Sequence, residues 1–309
     1  MRELVRTREG IREIYGKYAA FIDPIVKFVL AMVTYALINS SIGNMELLKN
    51  PLIMILAALL NAILPTNSII VFACAFSVLH MYADSIFSAA VVLVAFMLMY
   101  LLYFRFAPQD SIIVLLTPIS FALHIPYAVP LCAGIGGGVF SCVSVAAGVF
   151  SWYVVKYCAS VKLEISQADV EATASSLRSF IGGLVVNKNM LLVLAAFALT
   201  TVLVSIVKKL SINYCREAAI IGGASFNMLF ILTGNAILRL NVSILNLLIG
   251  TIIAIPIALV LNFFLFAVDY AKTENLQFED DEYYYYVKAV PKITARYDED
   301  KVDKSTADR

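Results

Sequence analysis

The chain has 309 residues, of which 61% are hydrophobic and 15% are charged, and its formal net charge is +1. A chain so close to neutral lacks the clustered basic surface by which proteins bind nucleic acid. Its mean hydropathy of +0.86 is that of a chain dominated by apolar segments. The composition therefore excludes a nucleic-acid-binding role and favours a protein whose surroundings are a lipid bilayer.

Seven segments contain no Asp, Glu, Lys or Arg, and together they make up more than half of the chain. A helix crosses the roughly 30 Å of bilayer hydrocarbon with about 17–25 apolar residues, and each segment is near or above that length. Inside hydrocarbon every backbone N–H and C=O group must be paired within the protein, which leaves helices as the structure of such segments. We predict an all-α, polytopic membrane helix bundle with about eight or nine hydrophobic helical segments. The charge-free segments are 28–45, 50–83, 85–104, 111–155, 189–207, 218–238 and 240–268.

The N-terminal segment 1–27 contains six Lys or Arg residues and precedes the first apolar segment. No small-residue cleavage pattern follows that apolar segment, which favours a signal anchor over a cleaved signal peptide. Basic flanking segments tend to stay on the cytoplasmic side. We therefore expect a multi-pass protein of the cell membrane, plasma or inner, with a cytoplasmic N-terminus.

The segment 50–83 is too long for one helix and contains its own breaker at Pro65, followed by Thr and Asn. Proline lacks the backbone donor and biases the residue before it away from helical geometry. The sequence therefore predicts two short helices, at 51–64 and 68–82.

The segment 111–155 is also interrupted, by three prolines and by the glycine-rich run Gly134–Gly138. This pattern predicts a helix at about 111–124, an irregular hinge within 118–138, and a second helix at 139–155. Whether each broken segment crosses the membrane once or twice stays open at this point. The side on which the C-terminal tail lies depends on the answer.

The loop 156–188 has the pattern of an amphipathic surface helix. Ser166 and Asp169 resemble a capping box at its start, and a Gly-Gly pair interrupts it near its end. The apolar face that this pattern predicts consists of Val170, Ala174, Leu177, Ile181 and Leu184.

The polar tail 269–309 contains four consecutive tyrosines followed by valine. Aromatic and β-branched residues favour strands, so 283–290 is expected to be extended and the end of the tail disordered. A strand needs a partner, for which 292–297, a membrane loop or another chain is available. The predicted organisation is thus a basic segment 1–27, bundle halves at 28–155 and 189–268, the loop 156–188 between them, and the tail.

The sequence contains none of the motifs that mark nucleotide-binding loops, metalloproteases or serine hydrolases. Its five cysteines lack the CxxC spacing of metal sites and lie mostly in apolar segments, as small buried side chains do. We therefore predict no enzyme activity, no cofactor, no metal site and no built-in ATPase.

Candidate substrate-binding residues lie at the two helix breaks. Irregular backbone at membrane depth is tolerated only where protein or a water-filled cavity surrounds it, so freed carbonyl groups and small polar side chains would line a cavity there. Alternatively, the prolines and glycines only kink the chain and let helices pack closely. The candidates are Asn61, Asn67, Thr117, Ser120, His124, Gly136 and Gly137.

His80 and Asp84 stand four residues apart, which places them on one face of a helix. A buried histidine and carboxylate form a natural proton relay in a membrane carrier. The alternative is that Asp84 is the N-cap of the helix that follows, with His80 at the same interface.

Glu217-Ala218-Ala219, with Gly223 four residues later and Lys208 before it, resembles the start of the EAA loop of ABC importers. In that family the loop binds the membrane subunit to its ATPase, so the resemblance implies a permease subunit. The I-x-L-P portion of the family's motif is missing, and the resemblance covers under a tenth of the chain.

Two functions from different classes fit these patterns. The first is a carrier or permease-like protein that moves a small solute through its broken helices. The second is a non-transporting membrane scaffold or assembly factor, which binds a partner subunit or its own copies through the amphipathic loop and the tail. The apolar segments contain no charge, whereas ion-coupled carriers usually place one in mid-membrane; this favours a neutral solute or the scaffold. A solvated cavity between 50–83 and 111–155 would discriminate them.

Overall fold

A computed structural model describes residues 2–161, 170–210, 214–240, 243–266, 274–279 and 283–289. The chain divides into two compact units, one formed by Ile14–Leu265 and one by Met1–Glu13 together with Phe266–Arg309. The larger unit contains nearly all of the helices, and the smaller one contains a β-hairpin.

The described residues form twelve helices and two strands. The helices are α1 (Arg2–Ser41), α2 (Glu46–Lys49), α3 (Pro51–Ile63), α4 (Asn67–Tyr82), α5 (Ile86–Phe106), α6 (Ser111–Ala122), α7 (Ala128–Gly136), α8 (Ser141–Ser160), α9 (Val170–Val185), α10 (Lys188–Val207), α11 (Cys215–Leu238) and α12 (Ile244–Phe266). The strands are β1 (Glu274–Glu279) and β2 (Tyr284–Ala289).

The all-α prediction is confirmed, and the chain is a membrane protein with transmembrane helices. Six stretches of the described residues are long and apolar enough to cross a bilayer: α1 from Glu13 onwards, α5, α8, α10 together with α9 from Ser175 onwards, α11 and α12. Three further apolar helices, α3, α4 and α6, are shorter. The described residues thus contain six helices of spanning length, and the count of eight or nine hydrophobic helical segments stays a prediction.

The predicted break at Pro65 is confirmed. Helix α3 ends at Ile63, Leu64 is extended with φ −74° and ψ 164°, and α4 begins at Asn67. The Ser68 hydroxyl donates to the Pro65 carbonyl at 2.8 Å, which closes the turn. The break is a local consequence of the missing proline donor.

The predicted irregular hinge is wrong in its extent, because α7 occupies most of it. Pro118 lies inside α6, and Pro130 is the third residue of α7. The first four N–H groups of a helix have no intrahelical acceptor, so a proline in the first turn costs no hydrogen bond. The glycine-rich run ends α7 instead of forming a long loop, and only 123–127 and 137–140 lie outside helices.

Helices α6 and α7 form a hairpin whose two open ends lie together. Asp110, just before α6, and Gly138, just after α7, line the same pocket of about 270 Å³. The two helices have 12 and 9 residues. At 1.5 Å per residue they extend roughly 18 and 14 Å, less than the thickness of bilayer hydrocarbon.

Helix α9 packs through part of the predicted face, since Leu177 and Leu184 of that face contact the core. Phe180 and Leu184 are buried, whereas Ile181 is 41% exposed. The Gly-Gly pair stays helical. Gly183 gives room to the ring of Tyr157, whose Cζ would lie 2.7 Å from an added Cβ. The predicted capping residues, Ser166 and Asp169, lie outside the described residues.

The predicted extended segment of the tail is confirmed as β2. It pairs antiparallel with β1, and Glu279 lies opposite Tyr284. The partner therefore precedes the tyrosine run, whereas the predicted partner 292–297 lies outside the described residues, as does the end of the tail. Tyr284 and Tyr286 are 70% and 76% exposed, against 39% for Tyr285, so the side chains alternate between two faces.

Candidate functional site

A small cavity lies between α1, α4, α5, α6 and α8, which is between the two interrupted segments. Its volume is about 60 Å³. Aliphatic side chains form most of its wall, together with Trp152 and with Pro118 and Ile119 of the predicted hinge. Pro118 and Ile119 therefore border the cavity, although most of the predicted hinge does not.

Four of the lining residues carry a hydroxyl group, in a wall that is otherwise apolar: Thr34, Ser41, Ser77 and Ser151. Three of them donate to a carbonyl of their own helix: Thr34 to Leu30 at 2.8 Å, Ser77 to Ala73 at 2.9 Å and Ser151 to Ala147 at 2.9 Å. These three hydroxyls are therefore bonded within their own helices, and the wall of the cavity is almost wholly apolar.

The size and charge of the cavity limit its ligand. Among the described residues that line it, none carries a formal charge. Sites for drug-sized ligands measure about 300–1,000 Å³, whereas a single water needs about 10–15 Å³ of such space. The cavity suits a small neutral molecule of a few heavy atoms.

Asn61 does not line this cavity; its side chain holds three helices together. The amide nitrogen donates to Tyr35 Oη at 2.7 Å and to the Ala57 carbonyl at 2.8 Å, and the amide oxygen accepts from the Ser68 hydroxyl at 2.6 Å. Asn61 is fully buried. Its groups are thus satisfied by α1, α3 and α4 across the Pro65 break.

Asn67 joins the start of α4 to the end of α5. Its amide donates to the Pro108 carbonyl at 3.0 Å and accepts from Tyr103 Oη at 2.8 Å. Asn61 therefore stabilises the connection between α3 and α4, Asn67 stabilises the contact of α4 with the end of α5, and neither lines the cavity.

Thr117 and Ser120 lie in α6 and are buried against other helices. Each hydroxyl donates within the helix, Thr117 to Ile113 at 2.7 Å and Ser120 to Thr117 at 2.6 Å. Gly148 of α8 faces Thr117 so closely that an added Cβ would lie 2.7 Å from the threonine oxygen. Thr117 thus marks a close crossing of α6 and α8, the packing alternative for this segment.

His124 is exposed and ends α6 in left-handed geometry, with φ 61°. The Ile125 N–H donates to the Ser120 carbonyl at 2.9 Å, and the His124 N–H donates to the Phe121 carbonyl at 3.2 Å. This pair of bonds is a Schellman motif, which satisfies the last carbonyls of a helix. The backbone of His124 therefore accounts for its position.

His80 is buried and bonded, but its partner is not Asp84. The Met45 N–H donates to Nδ1 at 3.1 Å, which leaves Nε2 to donate to the Asn39 amide oxygen at 2.6 Å. Asp84 is exposed, and the N-cap of α5 is Ser85, whose oxygen accepts from the Phe87 N–H at 3.2 Å. The structure does not bring the two residues of the predicted relay together, and the predicted N-cap at Asp84 is wrong.

Gly136 and Gly137 lie where α7 meets the end of α10, away from the cavity. A Cβ on Gly136 would meet only Leu265, at 3.6 Å, whereas one on Gly137 would overlap Ser141. Ser205 and Lys208 of the neighbouring chain segment donate hydrogen bonds to carbonyls of this glycine-rich run. Nothing in the sequence indicated that Ser205 and Lys208 lie beside these glycines, since only the packing of α7 beside α10 brings them together.

The EAA-like residues lie inside α11 rather than in a loop. Ala219 is fully buried, and Gly223 packs against Val204 of α10. Glu217 accepts from the Asn262 amide of α12 at 3.2 Å. These contacts give the segment a packing role within the bundle, unlike the exposed loop of the importers.

Comparison with known proteins adds no relative to these findings. No protein-family model matches the chain, and neither a curated protein nor a solved structure matches it.

Proposed function

We propose that this chain is a multi-pass membrane carrier for a small neutral solute, with no ATPase of its own. The observation that carries the proposal is the small uncharged cavity between the interrupted segments. Broken helices next to a central site are a recurring design of secondary transporters, whose binding sites form at such interruptions. The absence of charge among the described lining residues suits a neutral solute.

The contacts also support an orientation for the bundle. Lys27 bonds to Leu64, Asn67 bonds to Pro108, and Pro108 shares a pocket with Gly138, whose carbonyl accepts from Ser205. These contacts form one end of the bundle. In the proposed arrangement the α6–α7 hairpin enters from this end and returns to it, so that 111–155 crosses the membrane once.

This end carries several cationic residues and is proposed to be cytoplasmic, in the plasma or inner membrane. Lys27, Arg105, Lys208, Lys209 and Arg216 then lie together on the inside, in line with the positive-inside tendency. A membrane-impermeant thiol reagent should label Lys209→Cys, in a chain without other cysteines, only after inside-out exposure. Labelling from outside would reverse the orientation.

The transport proposal is tested by solute entry into liposomes. The purified protein is reconstituted, and entry of urea, glycerol and short alcohols is followed by light scattering as the liposomes swell. Ala73 lines the cavity, so Ala73→Leu should fill it and abolish entry. Ala90→Leu, on an exposed face of α5, is the matched control and should leave entry unchanged.

Two results would count against the carrier. One is equal entry, per amount of folded protein, in Ala73→Leu and the parent. The other is that the parent admits none of these solutes faster than empty liposomes do.

A scaffold is the second candidate, and the β-hairpin favours it. Tyr284 and Tyr286 point to one face of β2 and are at least 70% exposed. Tyrosine is enriched at protein interfaces, where it supplies apolar area and a hydrogen-bonding group. If this is the main function, Tyr284→Ser with Tyr286→Ser should release a partner subunit or second copy in cross-linking experiments, and the Ala73→Leu variant should retain it.

A further inference from the structure

The end of α7 carries a cluster of backbone carbonyls with an ammonium group bound among them. Lys208 Nζ donates to the Ile135 carbonyl at 2.9 Å and to the Gly137 carbonyl. The Ser205 hydroxyl lies 3.2 Å from the Gly134 carbonyl oxygen and 3.1 Å from that of Gly138. We call the four carbonyl oxygens of Gly134, Ile135, Gly137 and Gly138 the carbonyl cradle.

The cradle has the chemistry of a cation site. The carbonyls of Gly134, Ile135 and Gly137, at the end of α7, lack intrahelical donors and lie at the negative end of the helix dipole. The Gly138 carbonyl, just beyond the helix, also accepts from the Ser141 N–H at 3.2 Å. Alkali-metal ions are bound in membrane proteins by such carbonyl groups, at the ends of interrupted helices and in selectivity filters.

The glycines are what allow the cradle to form. A Cβ on Gly134 would lie 2.6 Å from Val204 Cβ, so only glycine lets α7 approach α10 this closely. The Ser141 hydroxyl accepts from the Gly138 N–H at 3.0 Å and holds the chain as it leaves α7. The carbonyls are therefore positioned by packing and by a side-chain bond, rather than by Lys208 alone.

We propose that the carbonyl cradle is a monovalent-cation site, which the chain fills with the ammonium group of Lys208. The tethered ammonium takes the place of an alkali-metal ion, and it holds the open end of the α6–α7 hairpin against α10 without any dissolved ion. This inference does not depend on the chain being a carrier, since it concerns which groups occupy the cradle.

Burial and the charges around Lys208 disfavour its ammonium form, so the bonds to the carbonyls are needed to stabilise it. Burial lowers the pKa of Lys208 from its ordinary value, and the nearby positive charges of Lys209 and Arg216 lower it further. These effects disfavour a cation at this position. The hydrogen bonds to the cradle oppose them.

The inference predicts that removing the ammonium creates a dependence on dissolved cations. The thermal unfolding midpoint of Lys208→Ala is measured in detergent at equal ionic strength in the chlorides of Na⁺, K⁺, ethylammonium and tetramethylammonium. Tetramethylammonium has no N–H groups and is too large to enter the cradle. In its chloride, the unfolding midpoint of Lys208→Ala should therefore lie several degrees below that of the parent. Na⁺, K⁺ or ethylammonium should restore most of the loss.

Two controls separate the cradle from general salt effects. The parent should respond equally to all four salts, because its cradle is filled. Lys209→Ala removes the neighbouring exposed lysine, which bonds to no cradle carbonyl, and should behave like the parent.

The proposal is overturned if Lys208→Ala unfolds at the same temperature in all four salts, or if the parent gains as much from Na⁺ or K⁺ as the variant does. Lys208→Met, which keeps an apolar stem, gives a second comparison if the alanine variant accumulates poorly. A variant that folds only with Na⁺, K⁺ or ethylammonium present supports the site. If neither Lys208→Ala nor Lys208→Met folds in any of the four salts, the result contradicts the proposed site.

Discussion

Replacing Asn61 by leucine tests whether the buried amide holds the interrupted helices together. Leucine has a similar size but can neither donate nor accept. Asn61→Leu removes the bond to Tyr35 Oη on α1 and the bond from Ser68 on α4, which measure 2.7 and 2.6 Å. We expect lower stability and no gain from the added apolar surface, because the site is already sealed from solvent.

The cost follows from what each partner can do afterwards. Ser68 keeps an acceptor, because its hydroxyl also reaches the Pro65 carbonyl at 2.8 Å. The buried Tyr35 hydroxyl loses the amide that donates to it. Side-chain hydrogen bonds between membrane helices contribute about 0.6 kcal/mol on average and about 1.7 kcal/mol at most. The free energy of unfolding should therefore fall by about 1–2 kcal/mol.

A double-mutant cycle isolates the bond between Asn61 and Tyr35. Tyr35→Phe removes only the hydroxyl, and its ring keeps the stack on Phe76, with centroids 4.5 Å apart. Unfolding is followed in mixed micelles as the fraction of denaturing detergent rises. In the Tyr35→Phe background, Asn61→Leu should cost about 0.6–1.7 kcal/mol less than in the parent. Additive effects of the two changes would refute the reasoning.

Three other predictions concern the buried His80, the exposed Asp84 and the close crossing of α6 and α8. His80→Leu leaves the Met45 N–H and the Asn39 amide oxygen without their partner and should lower the free energy of unfolding by about 1–3 kcal/mol. Asp84 is exposed, so Asp84→Asn should change unfolding and solute entry little. Loss of solute entry in Asp84→Asn would instead support the predicted proton relay. Gly148→Val should overpack the α6–α8 crossing and cost about 1–3 kcal/mol. The control is Gly222→Ala in α11, where an added Cβ meets nothing within 4 Å and should raise the free energy of unfolding by about 0.5–1 kcal/mol in the same assay. Equal effects of the two substitutions would contradict the close packing of α6 against α8.

Local physical chemistry determined the fold class and one break. Charge-free segments must become helices in hydrocarbon whatever surrounds them, so the all-α class could be predicted from composition alone. Pro65 ends α3 because it lacks a donor at that point, and the tyrosine run forms β2 because of its own side chains. These features depend on residues adjacent in the chain, which is why the sequence sufficed.

Only the tertiary structure decided which residues meet. Pro130 looked like a breaker, yet it lies in the first turn of α7, where the missing donor costs nothing. His80 bonds to Asn39, 41 residues away, instead of to the acid one turn along the chain. The cavity hydroxyls and the Lys208 contact depend likewise on how distant helices pack. A helical pattern states which face of a helix is polar, but the partner of each polar group is determined by long-range packing that a single sequence does not encode in any local signal.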